Sequence, residues 1–195
     1  MQGHARVVHV CAASVGPFPP PASPVTGEAS TNADVRLTSG RQRMHIAFQR
    51  LVQALVLLTL VLAPGDVNLT FKEYVRTPIR CTVVADRIES IEGDGFDAEL
   101  FESYLAAWGE ADAYAVSHVG WGLNEACRWE SLAMYDKSDT NGTELRAFAG
   151  NFLYSTGANE VAGRFAVGHF DLPMRHCTIT LDGHHVVTDG AVHPL

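Results

Sequence analysis

Two residues near the C-terminus, His169 and Asp171 in Gly168-His169-Phe170-Asp171, have the types and spacing that metal chemistry uses. In an extended segment side chains alternate between faces, so residues two apart point the same way. An imidazole and a carboxylate then share one side, with Phe170 turned to the other. One histidine and one acidic group on a common face are two of the three ligands of a 2-His-1-carboxylate iron site. The third must come from elsewhere. His118 is the strongest candidate, in Tyr114-Ala115-Val116-Ser117-His118-Val119-Gly120-Trp121-Gly122. Each of these residues also fits a plainer role. An H-x-D pair serves as a surface ion pair at a strand edge, and a histidine in apolar sequence is commonly a neutral side chain satisfied by one hydrogen bond. Spacing alone leaves both open.

The remaining histidines carry less. His4, His9 and His45 lie in or beside an irregular start and have no expected chemical role. His184 and His185 flank a hairpin turn and His193 is near the end, so all three are expected to face solvent; the adjacent pair could also take up metal adventitiously. His176, seven residues past His169, either orients a ligand histidine or caps the strand that follows, and the structural role is preferred.

The elements that must position these groups come from periodicity. Val67 to Val75 reads as extended, and 80–85 and 87–91 are rich in β-branched residues, as strands are. After Gly93-Asp94-Gly95, apolar residues at Phe96, Leu100, Phe101, Tyr104, Leu105 and Trp108 follow helical spacing, with Asp97 and Glu99 favouring the N-terminal end. Ala113 to Val119 is expected to be a strand ending in the Gly120-Trp121-Gly122 turn, and 124–135 is ambiguous. Asn151 to Ser155 and Phe165 to Phe170 are expected strands. Cys177 to Leu181, Asp182-Gly183 and His184 to Thr188 form a hairpin signal suited to a type I′ turn. The expected class is α/β, a mixed α+β domain with a largely β-sheet core and a few helices.

Composition bounds the rest. The chain has 195 residues, 47% hydrophobic and 18% charged, enough for one domain with a sizeable core. A net charge of −8 without a Lys/Arg cluster argues against a nucleic-acid partner. Cysteines at 11, 81, 127 and 177 stand far apart with no CxxC, the pattern of reduced thiols in a cytoplasmic protein. Residues 1–43, with Pro17, Pro19, Pro20, Pro21 and Pro24 among small polar residues, are expected to be disordered or irregular, and Met44 is an alternative start. Residues 44–195 form the expected metal-binding domain. The apolar run Ala54 to Ala63 is too short to span a bilayer and reads as a buried element before the Pro64-Gly65 turn, with a signal-peptide core as the competing reading. No membrane partner is expected.

Three longer motifs go further. Ala115 to Leu123, Arg146 to Gly157 (Arg-Ala-Phe-Ala-Gly-Asn-Phe-Leu-Tyr-Ser-Thr-Gly) and His169 to Arg175 (His-Phe-Asp-Leu-Pro-Met-Arg) occur in that order. With Pro64-Gly65-Asp66 and Phe71-Lys72-Glu73-Tyr74 they resemble the 2,5-dihydroxypyridine 5,6-dioxygenase family, from about Leu57 to the C-terminus. That family opens the ring in nicotinic acid and nicotine degradation and is a divergent relative of the thermophilic leucyl aminopeptidase (aminopeptidase T) family. The resemblance implies a mononuclear iron(II), Fe(2+), held by His118, His169 and Asp171. It implies a small aromatic N-heterocycle and O2 as partners, both oxygen atoms entering the product, and it favours a homo-oligomer. Ser117, Trp121, Asn151, Tyr154 and Ser155 are candidates for the substrate pocket, and each is as readily a packing residue or one that orients a ligand histidine. The family carries a further domain's worth of chain before the matched region, supplying a glutamate and histidines for acid–base work. Residues 1–43 offer no match to those groups, so an N-terminally truncated form is expected. Two alternatives stay open: a two-metal aminopeptidase, for which Gly120-Trp121 and Phe152-Leu153-Tyr154 supply no extra ligand, and a non-catalytic fragment.

Overall fold

The computed structural model describes residues 6–10, 57–160 and 163–194. The class is mixed: the described residues form small, mainly antiparallel sheets with three helices and a 3-10 turn. The sheet that matters most contains β7 (Val116–Gly120), β8 (Phe152–Asn159) and β9 (Arg164–Met174), paired antiparallel in that order. Its register sets His118 opposite Ser155 and Ser155 opposite Asp171, while Gly157 lies opposite His169. One row of side chains therefore crosses all three strands.

A second antiparallel sheet, β2 (Leu57–Leu62), β5 (Ile79–Val84) and β6 (Arg87–Glu92), shares the main core with it. The burial of Ile79, Cys81 and Val83, alternating with less buried neighbours, is the two-residue period of a sheet with one face covered. Burial, reinforced by Glu92, pushes the Cys81 thiol up to about 12, so it packs rather than reacts. Cys81 and Cys127 are free thiols.

Helix α1 (Phe96–Ala107) lies where its spacing predicts, burying Ala98, Phe101 and Leu105. Asp97 fixes its start by accepting from Arg76 N (3.0 Å), Thr77 N (2.8 Å) and Thr77 Oγ1 (2.8 Å). The aromatic rings of Phe101, Tyr104 and Phe71 meet Phe170 edge-on at 4.9, 4.7 and 5.5 Å between centroids. Phe170 thus nails β9 to the helix.

Several expectations need revision. Val67 to Val75 is not one extended run but a tight hairpin, β3 (Val67–Asn68) with β4 (Glu73–Tyr74), because Lys72 turns with φ 54°. Ala113 and Tyr114 belong to a 3-10 turn (Ala111–Tyr114) ahead of β7. The ambiguous stretch holds the short helix α2 (Ser131–Met134), and a further short helix, α3 (Thr143–Ala147), follows. Within the segment expected to be irregular, β1 (Arg6–Val10) is a strand, parallel to β10 (Cys177–Leu181). Three valines in five residues suit a strand, and the free edge of β10 supplies the partner. The rest of that segment, His45 and residues 54–56 of the apolar run lie outside the described residues; Leu57–Leu62 of that run forms β2.

The C-terminal hairpin of β10 and β11 (His184–Thr188) turns through Asp182 (φ 49°) and Gly183 (φ 84°), the two positive φ angles a type I′ turn demands. A final short strand, β12 (Ala191–Val192), completes that sheet. His184, His185 and His193 are exposed, and His176 sits in the turn between β9 and β10, 3.9 Å from Asp189. Among the described residues no helix is long and apolar enough to cross a membrane.

Candidate metal centre

Because β9 alternates, His169 and Asp171 emerge on one face, and register brings His118 and Ser155 to the same face. His169 Nε2 stands 3.3 Å from Asp171 Oδ1 and His118 Nε2 stands 3.8 Å from that same oxygen. The two imidazoles lie near-parallel, 25° between planes and 5.8 Å between centroids. Ser155 Oγ lies 3.0 Å from His118 Nε2 and donates a short hydrogen bond to Asp171 Oδ1. The Asp171 side chain is 5% exposed, whereas His118 and His169 are 35% and 41% exposed. The carboxylate forms the floor and the imidazoles the open rim.

Three contacts hold the floor still. Leu69 N donates to Asp171 O (3.0 Å), Thr70 Oγ1 donates to His169 O (3.1 Å), and Arg146 Nη1 donates to Asp171 Oδ2 at 2.6 Å. Burial works to raise the Asp171 pKa. Hydrogen bonds from His169 and Ser155, with the charges of His169 and Arg146, outweigh it and hold the carboxyl well below the usual carboxylate range. Asp171 is therefore anionic at neutral pH, as a cation ligand must be.

Gly157 makes the strand pairing possible beside His169. Its φ is 98°, and a Cβ there would lie 1.8 Å from Gly168 O. Only glycine lets the backbones approach so closely.

The other sequence-derived candidates divide by face. Ser117 sits at a bulge in β7, its Oγ 3.2 Å from His118 Nδ1 and donating to Ala158 O, which orients the ring from behind. Tyr154 precedes Ser155 and is turned to the opposite face, fully buried in the core, so it is not brought to the histidines. Trp121 packs against that core. Asn151 is fully buried and works as a clamp. Its Oδ1 accepts from Gly122 N (2.6 Å), and its Nδ2 donates to Leu145 O (2.7 Å) and Arg146 O (3.1 Å). Sequence spacing does not place Arg146 in the site. The only sequence signal was its place at the head of the second motif, and its partner lies 25 residues away.

Two imidazoles and one carboxylate suit a divalent first-row metal. Cis donors on an ion with bonds of about 2.1 Å stand roughly 3 Å apart. The observed 3.3 and 3.8 Å are close to that spacing, so small side-chain movements would admit an ion between these groups. As they stand, no three His, Cys, Asp or Glu side chains among the described residues form a ready-made cage, and Asp171 is hydrogen-bonded to Ser155 and Arg146. The donor types fit such an ion. A hollow of about 300 Å³ lined by Asp136, Asp139, Thr140 and Glu144, among others, offers no histidine and is a different place.

The chain belongs to the 2,5-dihydroxypyridine 5,6-dioxygenase family, whose model matches residues 53–194. It is 42% identical over 136 residues to the 2,5-dihydroxypyridine 5,6-dioxygenase of Pseudomonas putida, covering 69% of this chain and 39% of that protein. Its fold is similar to the solved structure of the 2,5-dihydroxypyridine dioxygenase from Pseudomonas putida, with a TM-score of 0.68 and 39% identity over 71% of this chain and 40% of that one. The chain thus spans about two-fifths of the length of the relatives it matches.

Proposed function

We propose that this chain carries the iron(II)-binding part of a ring-cleaving dioxygenase acting on 2,5-dihydroxypyridine or a closely related hydroxylated N-heterocycle. The observation that carries the reading is the convergence of His118 Nε2 and His169 Nε2 on one oxygen of Asp171, in a member of this family. When bound, iron(II) supplies the electron transfer that lets an electron-rich ring react with ground-state dioxygen.

The chain's own residues do the holding. His118, His169 and Asp171 would be the ligands, and Ser155 Oγ, in contact with both His118 and Asp171, is an oxygen donor at the same point. Ser117 fixes the orientation of the His118 ring through Nδ1. The half-exposed imidazole rim leaves the open side of the centre facing outward, where substrate would enter. Held by three protein ligands, iron(II) would keep positions open to molecules from outside the protein.

The test is to load the protein anaerobically with iron(II), add 2,5-dihydroxypyridine and oxygen, and follow loss of the substrate's absorbance. Turnover that disappears in His169→Ala is expected. Activity unchanged by that substitution would reject the ligand assignment. A chain that takes up iron and leaves the substrate untouched would mean that groups in the remaining three-fifths of the relatives are required. The aminopeptidase reading is not favoured, since the family and the relative it matches are named as dioxygenases.

A further inference from the structure

We propose that Arg146 is a positioning residue for this centre, holding one oxygen of Asp171 so that the carboxylate offers an ion only the other. The inference rests on the iron(II) reading above. It concerns how many coordination positions the protein leaves open.

The two oxygens of Asp171 have separate surroundings. Oδ1 faces His169 Nε2, His118 Nε2 and the Ser155 hydroxyl. Oδ2 receives Arg146 Nη1 at 2.6 Å. The other end of the same guanidinium, Nη2, donates to Asn141 O at 2.8 Å. A planar group fixed at both ends cannot follow a carboxylate that rotates, so it resists any turn that would bring Oδ2 toward the histidines.

Arg146 is itself anchored. Its backbone N donates to Gly142 O (3.1 Å), and the preceding Leu145 is fully buried with Val67, Leu69, Trp129 and Leu132. Asn151 grips the carbonyls of both Leu145 and Arg146 while accepting from Gly122 N at the foot of the loop after β7. The chain of contacts runs from that loop through Asn151 and α3 to the guanidinium, and from there to Asp171.

The consequence is a count of ligands. A carboxylate bound through both oxygens would take two positions of a six-coordinate ion and, with two histidines, leave two. Bound through Oδ1 alone it leaves three, the number a substrate and dioxygen need together. Lysine cannot replace this arrangement, because a point charge cannot span Oδ2 and Asn141 O at once.

Cobalt(II), whose visible absorption reports coordination geometry, is titrated into the wild type, Arg146→Ala, Arg146→Lys and Asp171→Ala. The wild type is expected to bind one equivalent. Arg146→Ala is expected to show a changed cobalt spectrum with about 10- to 100-fold weaker binding, the usual consequence of losing a group that orients a ligand. Arg146→Lys should show the same spectral change at an unchanged thermal midpoint, which carries the test if the alanine variant folds poorly. A spectrum and affinity superimposable on the wild type in both Arg146 variants, with Asp171→Ala unable to bind, would overturn the role of Arg146 alone. A wild type that takes up no cobalt, or Asp171→Ala binding it unchanged, would overturn the metal centre and this inference with it.

Discussion

On one face of the β7–β8–β9 sheet stand His118, Ser155, His169 and Asp171; on the other, Tyr154, Phe170 and Leu172, each without measurable exposure. The two faces are interleaved residue by residue along the same strands. Fold and chemistry are therefore coupled through register. A slip of one residue would send Phe170 outward and bury the imidazoles. The apolar face has every reason to prevent this, because three aromatic rings converge on Phe170. The polar face is held by hydrogen bonds to Asp171 and His169 from Leu69, Thr70 and Arg146 instead of by packed rings.

The largest effect expected from breaking that arrangement is at Phe170. Phe170→Ala removes a buried ring and should cost about 4 kcal/mol, read by urea denaturation, with the His169 side losing order as a consequence. A loss below about 1 kcal/mol would mean that the apolar face does not fix the register. Gly157→Ala comes next. The strained φ and the clash with Gly168 O should cost about 2–3 kcal/mol, and unchanged stability would contradict the close pairing of β8 with β9.

Tyr154 sharpens the comparison from the apolar side. Its hydroxyl is buried, and among the described residues it has no hydrogen-bond partner. Burial, with Cys81 and Asp86 nearby, pushes its pKa above the usual phenol value despite Arg164. Tyr154→Phe should therefore stabilise the fold, by about 1 kcal/mol, and leave any metal-dependent activity intact. A loss of activity with intact stability would show that the tyrosine reaches the polar face after all.

The smallest effect concerns the helix that backs Phe170. Burial raises the Asp97 pKa, but hydrogen bonds from Thr77 and Arg76, with the charge of Arg76, outweigh it and leave it lowered. A lowered folded value means that Asp97 contributes its stability above the unfolded pKa near 4, and loses it as pH falls through the folded value. Asp97→Asn should cost about 1 kcal/mol at neutral pH, with the gap from wild type closing toward about pH 2. A pH-independent gap would deny the charge a role.

Much of this was readable from order alone. Helix α1 announced itself by apolar spacing, the C-terminal hairpin by Asp182-Gly183, and the shared face of His169 and Asp171 by a period of two. The same period could have separated Tyr154 from Ser155, since neighbours in a strand cannot share a face. Arg146 and Asn151 were harder. Their importance lies in which carbonyl or carboxylate each reaches, and that depends on how α3 packs against Val67, Leu69 and Trp129. Five-residue helices such as α3 are held by tertiary packing rather than by propensity, so no local pattern marks them. The pairing of strand β1 is illegible for a related reason, since its partner β10 lies at the other end of the chain.

The most direct test is anomalous diffraction at the iron edge from crystals grown anaerobically with iron(II). The account predicts one peak per chain, within bonding distance of His118 Nε2, His169 Nε2 and a single oxygen of Asp171, Oδ1. Absence of any peak there in iron-loaded crystals, or a peak held by other residues, would contradict it.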